Sequence, residues 1–218
     1  MSQTSLLISS RNYSSWSLRG FLLARLSGLE FDVQQVDPED PATRAELLLQ
    51  ASSILVPCLV HDGVRVWDTM AIAEYLNEIR PEAGMFPLDR AARARCRSIA
   101  GEMHAGFTAL RSSLPMNLRG RRPGFALWSG PAADIARIVE IWTECRETWG
   151  GPWLFGRRPS VADAMYAPVV TRFVTYDVRL DGAAAEYAAH IAAWPDLVEW
   201  TEAALAEPEE IADLEVEF

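Results

Sequence analysis

The segment Asn12-Tyr13-Ser14-Ser15-Trp16-Ser17-Leu18-Arg19 gathers hydroxyl groups at the head of a stretch with helical spacing. At a helix start the first backbone N–H groups lack partners and carry the positive end of the dipole. Such a place favours an anion, whether carboxylate, phosphate or thiolate, and a serine hydroxyl there can donate to it. The same serines can simply cap the helix, with Ser14, Ser15 or Ser17 satisfying the first turn. Two other places share this double character. The proline of Val56-Pro57, inside a strand-like run, removes a ladder donor and marks an edge, a bulge or a cis bond that exposes backbone to a ligand. Asp68-Thr69 can cap a following helix. It can also meet an ammonium with its carboxylate, and a carboxylate with its hydroxyl and helix N–H groups.

A second group of chemistry-bearing residues lies further along. His104 and Phe107 are three apart and Arg111 four beyond, a spacing that puts them on one face of a continuous helix. Met116, Asn117 and Arg119 follow in a loop, and Arg172 and Tyr176 close a later helix. Together they could line a pocket suited to an anionic substrate. The arginines could equally pair with carboxylates, and His104 could be a surface or interface residue.

Composition limits the chemistry. The 218 residues are 50% hydrophobic, with 20 basic and 30 acidic side chains and a formal charge of −10. That balance fits a globular chain and argues against a nucleic-acid or anionic-membrane surface, which needs clustered positive charge. Every basic residue is Arg, and Lys is absent. A Schiff-base lysine, a Ser–Lys dyad and a P-loop lysine are therefore excluded. Gly-x-Ser-x-Gly and Gly-x-Gly-x-x-Gly are also missing, which argues against a serine hydrolase and a nicotinamide enzyme. Cys58, Cys96 and Cys145 are odd in number and widely spaced, the pattern of buried thiols in a reducing cytoplasm. His61, His104 and His190 are far apart, with no HExxH or CxxC, so no metal site is expected. The N-terminus has no basic n-region and no run approaches the ~20 apolar residues of a membrane span, so a cytoplasmic protein is expected.

The elements that must position these groups change type near residue 80. Leu6–Ser9 reads as a strand, Ser17 to Ser27 as a helix stopped by Gly28, and Phe31, Val33 and Val36 as a second strand. A polar loop over Asp37–Pro41 leads into a helix around Thr43–Leu49. Leu55–His61 and Val64–Trp67 flank Asp62-Gly63, a type I′ hairpin signal, and Met70 to Glu78 is an amphipathic helix. After a turn-rich connector over residues 81–88 the chain reads as helices: Arg90–Leu110, Ala132–Trp149, Val161–Thr175, Ala183–Ala193 and Asp196–Ala206. Pro168 is expected to kink the third of these, and the later tryptophans to serve mostly as core. The fold class is α/β plus all-α, with one domain over residues 1–80 and a helical one over 90–218.

These features in this order resemble the glutathione transferase superfamily. The first eighty residues look like its thioredoxin-like domain, and Ser160-Val161-Ala162-Asp163 like the capping box of its central C-terminal helix. Asn12-Tyr13-Ser14-Ser15-Trp16-Ser17 is similar to a bacterial zeta-like group. Val56-Pro57 matches the family's cis-proline, and Asp68-Thr69 with Ala71-Ile72 and Tyr75-Leu76 matches its third helix. The resemblance implies the glutathione transferase fold, glutathione as co-substrate and a small electrophile as second substrate. It also implies a homodimer. By the same likeness Ser14 stabilises the thiolate, while Ser15, Leu55, Val56, Pro57, Asp68 and Thr69 hold glutathione. His104, Phe107, Arg111, Arg172 and Tyr176 would line the second-substrate pocket between the domains, and Arg19 would support the thiolate or brace the first helix. Two departures stand out. Ile54-Leu55 replaces the Gly-Lys of many relatives, leaving no lysine for the glycine carboxylate of glutathione, which also fits a non-catalytic scaffold. Trp16 replaces the cysteine of the zeta pattern, so the maleylacetoacetate isomerase activity of that class is not implied.

Overall fold

The computed structural model describes residues 4–36 and 56–207. The loop over Asp37–Pro41, the helix expected around Thr43–Leu49 and Leu55 lie outside them. Strands β1 (Ser5–Ile8), β2 (Asp32–Gln35), β3 (Cys58–His61) and β4 (Val64–Trp67) form one sheet in the order β2-β1-β3-β4. β1 is parallel to β2 and antiparallel to β3, and β4 returns antiparallel to β3. Asp62 (φ 50°) and Gly63 (φ 79°) make the hairpin turn that their sequence signals, both in the left-handed region.

Helix α1 (Ser15–Ser27) leaves β1, and α2 (Thr69–Ile79) leaves β4. A 3-10 turn at Pro81–Ala83 opens the helical half: α3 (Arg90–Ala105), α4 (Thr108–Ser113), α5 (Ser129–Trp149), α6 (Val161–Thr175), α7 (Gly182–Ala192) and α8 (Pro195–Leu205). One hydrophobic cluster runs through both halves, from Leu6 and Leu22 through Ile99 and Trp142 to Ala204. No helix among the described residues is long and apolar enough to cross a membrane.

The two helices that carry the chemistry are buried on nearly every side. Ser14 caps α1 in an extended conformation, and Gly28 (φ 66°) ends the helix in the left-handed region. Between them α1 is wedged against the sheet and α6. At the head of α6, Ser160 and Asp163 form a capping box. The fully buried Asp163 also accepts from the Leu154 amide at 3.1 Å and the Tyr187 hydroxyl at 3.1 Å. Burial nonetheless pushes its carboxyl pKa up, because lost hydration outweighs those hydrogen bonds. Helix α6 runs unbroken through Pro168.

The long helix expected over Arg90–Leu110 is instead two helices. Gly106 caps α3 in an extended conformation, and Phe107 (φ 57°) turns the chain into α4. His104 and Phe107 therefore share no helix face. Phe107 packs into the core, 8% exposed. The break is held by the Arg111 guanidinium, whose Nη1 donates to the His104 and Gly106 carbonyls at 3.1 and 3.3 Å. Among the later tryptophans Trp142, Trp153, Trp194 and Trp200 are buried, whereas Trp128 is 51% exposed.

Gly20 fixes how closely α1 approaches the Val56-Pro57 loop: a Cβ built there would sit 2.6 Å from Pro57 Cβ and 2.8 Å from its Cγ. A proline ring has no rotamer with which to move aside. Gly20→Ala is expected to destabilise the fold by ~1–2 kcal/mol, overpacking outweighing the helix propensity that alanine adds. A thermal melt checks this, and an unchanged or raised midpoint would show that the loop yields freely.

Candidate active site

The three serines at the head of α1 have separate tasks. Ser14 Oγ accepts from the Ser17 amide at 3.2 Å, the capping reading, and this leaves the Ser14 hydroxyl proton available to a ligand. Ser17 Oγ accepts from the Ser9 amide at 3.1 Å and ties α1 to the end of β1. Ser15 Oγ faces the protein interior, where Arg172 Nη2 donates to it at 3.2 Å and Arg19 Nη1 at 3.5 Å. Both arginines are buried, Arg19 entirely and Arg172 with 4% exposure. Arg19 Nε donates to the Met165 carbonyl at 2.8 Å, and Arg172 to the carbonyls of Leu114 and Pro168 at 2.9 and 3.1 Å.

Trp16 joins this cluster to the second helical layer. The guanidinium carbons of Arg19 and Arg111 lie over its ring at 4.7 and 4.5 Å, and His104 meets its edge at 5.2 Å. None of Arg19, Arg111 and Arg172 has a carboxylate partner among the described residues. Burial, then repulsion from Arg172 and Arg111, holds the Arg19 guanidinium well below its ordinary pKa. Burial and Arg111 push Arg172 down to about 10. Burial also lowers the pKa of Arg111. Guanidinium groups stay charged at neutral pH, so these shifts express chiefly the loss of hydration on burial, to which mutual repulsion adds at Arg19 and Arg172.

The head of α2 lies beside this cluster. Asp68 (φ 74°) caps α2 with Oδ1, accepting from the Met70 and Ala71 amides at 2.8 and 3.2 Å. Its Oδ2 lies 3.1 Å from His104 Nε2, while His104 Nδ1 is 3.4 Å from Thr69 Oγ1. His104 thus belongs to the Asp68-Thr69 corner as well as to the Trp16 ring. The Val56-Pro57 peptide is cis. Of the residues expected in the second-substrate pocket, the structure brings His104, Arg111 and Arg172 around Trp16 and Ser15. Tyr176 is turned elsewhere: Asp177 (φ 52°) bends the chain, and the Tyr176 ring packs on Phe125 at 5.0 Å with its hydroxyl on the Pro115 carbonyl. It borders a cleft formed with Leu127, Ile135 and Val178 that shares no residue with the α1 cluster.

Glu207 was not signalled by the sequence. Its carboxylate, 8% exposed as a residue, accepts from the amides of Arg11 and Asn12 and from the Ser10 hydroxyl. The Trp200 indole donates to the Arg11 carbonyl at 3.0 Å. Asn117 and Arg119, expected to line the pocket, brace the same loop instead. Asn12 Nδ2 donates to Asn117 Oδ1 at 3.1 Å, and the Arg119 amide to Asn12 Oδ1 at 3.1 Å. A lone glutamate past the last helix resembles every other acid of this chain, so no spacing could single it out.

A mixed four-stranded sheet with helices leaving β1 and β4, followed by an all-helical half, is the fold of the glutathione transferases. The family profile for the glutathione S-transferase N-terminal domain matches residues 13–79, and that for the C-terminal domain residues 132–203. The chain belongs to this family of glutathione-dependent enzymes. It is 24% identical over 200 residues to a probable maleylacetoacetate isomerase of Caenorhabditis elegans, covering 85% of this chain and 90% of the relative. A glutathione transferase homolog from Burkholderia with bound glutathione superposes with a TM-score of 0.71 at 19% identity, covering 94% of this chain and 100% of that one. A maleylacetoacetate isomerase from Anaeromyxobacter dehalogenans gives a TM-score of 0.67 at 23% identity, covering 100% and 98%.

Replacing Glu207 with alanine strands the Ser10 hydroxyl and the Arg11 amide and leaves the Asn12 amide only its 3.1 Å bond to Ser10 Oγ. The expected cost is ~1–3 kcal/mol, with faster hydrogen exchange at the Arg11 and Asn12 amides. Exchange at wild-type rates in Glu207→Ala would show that α8 and Asn117 suffice to hold the loop.

Proposed function

We propose that this protein is a glutathione transferase that holds the glutathione sulfur at the head of α1 for attack on a small electrophile. One observation carries the reading. A continuous chain of contacts, Ser15 to Arg19 to Trp16 to His104 to Asp68, links the N-termini of α1 and α2. These are the two helix starts whose N–H groups suit the anionic parts of the tripeptide.

In this reading Ser14 donates its free proton to the sulfur. A free thiol titrates near ~8.5, and lowering that by one unit takes about 1.4 kcal/mol, within reach of one hydroxyl bond and a helix dipole. The backbone of Val56, presented by the bend at Pro57, pairs with the cysteinyl portion. Asp68 takes the γ-glutamyl ammonium with Oδ2, sharing that oxygen with His104, while the Thr69 hydroxyl and amide take the neighbouring carboxylate. Leu55 contributes only backbone and apolar surface, and the glycine carboxylate is met without a lysine. The electrophile enters beside Trp16, His104 and Arg111. A cytoplasmic homodimer is proposed on the family resemblance. The relatives named as maleylacetoacetate isomerases put glutathione-dependent isomerisation beside transfer among the reactions to assay.

Calorimetry with millimolar glutathione tests the reading. Wild type is expected to bind saturably, and Asp68→Ala to bind at least ~10-fold more weakly, a loss of about 1.4 kcal/mol, while barely altering the thiol pKa of what remains bound. No saturable binding by wild type would remove the basis for a glutathione enzyme. Binding without turnover of a chloronitroarene or of maleylacetoacetate would favour a non-catalytic scaffold.

A further inference from the structure

The loop from Leu118 to Trp128 crosses the end of α6, where the Arg122 amide donates to the Thr175 carbonyl at 2.7 Å, and it borders an open groove. One part of the groove, of about 450 Å³, is lined by Arg121, Arg122, Phe125 and Trp128. The other, of about 460 Å³, is the cleft beside Tyr176, with Leu127, Ile135, Val178 and Arg179. Gly124 and Phe125 line both parts, so the two are continuous. Phe125 forms the junction, its ring meeting Trp128 at 6.0 Å and Tyr176 at 5.0 Å. Leu127 is 39% and Trp128 51% exposed. Large apolar side chains left open to water side by side mark a docking surface.

Charge and reach select the occupant. Arg121, Arg122 and Arg179 line the groove, against the single acid Asp177 among the described residues. Neither Arg121 nor Arg179 has a carboxylate partner among the described residues. Arg121 is held by carbonyls instead, its Nη1 donating to Leu118 and Gly120 at 3.1 and 2.7 Å. Such a surface suits a segment that carries apolar and acidic side chains together. The chain supplies one. Beyond α8 the Glu207 carboxylate is fixed on the amides of Arg11 and Asn12, and its carbonyl accepts from Arg119 Nη1 at 2.8 Å. Arg119 is two residues from Arg121, so Glu207 stands at the edge of the groove. In sequence, residues 208–218 follow with the acids Glu209, Glu210, Asp213, Glu215 and Glu217 and no basic residue. Leu214, Val216 and Phe218 alternate with Glu215 and Glu217, a spacing that separates apolar from acidic side chains in an extended segment. Such a stretch can span roughly 36 Å, ample for a groove that begins beside its anchor.

We propose that this groove is the docking surface for residues 208–218 of the same chain. Leu214, Val216 and Phe218 lie against Phe125, Leu127 and Trp128, and the acids face Arg121, Arg122 and Arg179. Docked there, the segment ties the 118–128 loop to the anchor at Glu207. The start of that loop already braces Asn12 ahead of α1, through Asn117 Oδ1 and the Arg119 amide. The contact therefore steadies the head of α1 from outside the glutathione site.

The experiment is hydrogen exchange on the full chain, read by mass spectrometry at the amides of residues 119–128. It compares wild type with Leu214→Ser/Val216→Ser/Phe218→Ser, with Arg121→Glu, and with Arg121→Glu carrying Glu215→Arg and Glu217→Arg. Circular dichroism confirms each fold. The triple serine variant is expected to exchange about tenfold faster in this loop, with α5 at wild-type rates. Arg121→Glu should also speed exchange, and the two added arginines should restore it, a rescue that loss of a local contact at residue 121 does not allow. If the triple variant does not fold, the charge reversal and its rescue carry the test. Wild-type exchange in the loop of the triple variant overturns the inference. So does a charge reversal that the added arginines fail to rescue. Protection that disappears on dilution also overturns it, assigning the groove to a second copy of the chain. Glutathione binding is measured separately by calorimetry, so failure here leaves the reading of the active site standing.

Discussion

The site depends on one buried contact, the guanidinium of Arg19 reaching from α1 to the Met165 carbonyl of α6 at 2.8 Å. A helix N-terminus can hold an anion only if the helix cannot rotate or slide, and Arg19 fixes both while carrying a charge into the interior. On the opposite side, the lack of a Cβ at Gly20 lets α1 settle against Pro57. Held between these contacts, the head of α1 presents Ser14 outward and Ser15 inward. The desolvation cost of Arg19 is several kcal/mol, offset in part by the Met165 carbonyl, the Ser15 hydroxyl and the contact with the Trp16 ring at 4.7 Å.

The acceptors on α6 are in register because its first turn is fixed. Asp163 ties Ser160, Leu154 and Tyr187 to one carboxylate, and so sets where the carbonyls of Met165 and Pro168 fall further along. The same helix then supplies Arg172, whose guanidinium turns back to Pro168 and across to Leu114. The capping box thus reaches the chemistry through two turns of rigid helix. The loop ahead of α1 is held from a different direction, by Glu207 and Asn117, so the site draws on both ends of the chain.

Local patterns in the sequence account for most of the architecture. Gly28 as a stop, Asp62-Gly63 as a hairpin and Ser160–Asp163 as a helix start each depend on backbone chemistry within a few residues, and each stands where the sequence puts it. Phe107 shows the limit of that reasoning. Its spacing from His104 fits one helix, yet Gly106 and the Arg111 bonds to two carbonyls divide the segment, a decision made by contacts that spacing does not encode. The site divides in the same way. Ser14, Asp68 and Thr69 could be nominated because helix starts are readable. The partners that give Ser15 its electrostatic setting come from residues 4 and 157 positions away, and the latter separation leaves no local trace. Glu207, 196 positions from Arg11, was equally invisible.

The absence of lysine takes on a physical meaning in this setting. An ammonium buried as fully as Arg19 would shed its proton, since desolvation alone can lower a lysine by several units into the neutral range. A guanidinium starts much higher, so Arg172 can be pushed down to about 10 and still be charged at neutral pH. Its planar shape also permits two tasks at once, as when Arg19 lies over the Trp16 ring at 4.7 Å while donating to Met165 and Ser15. A lysine at that position could do one or the other. The cluster around Ser15 keeps its charge in a dry interior because it is built from arginine.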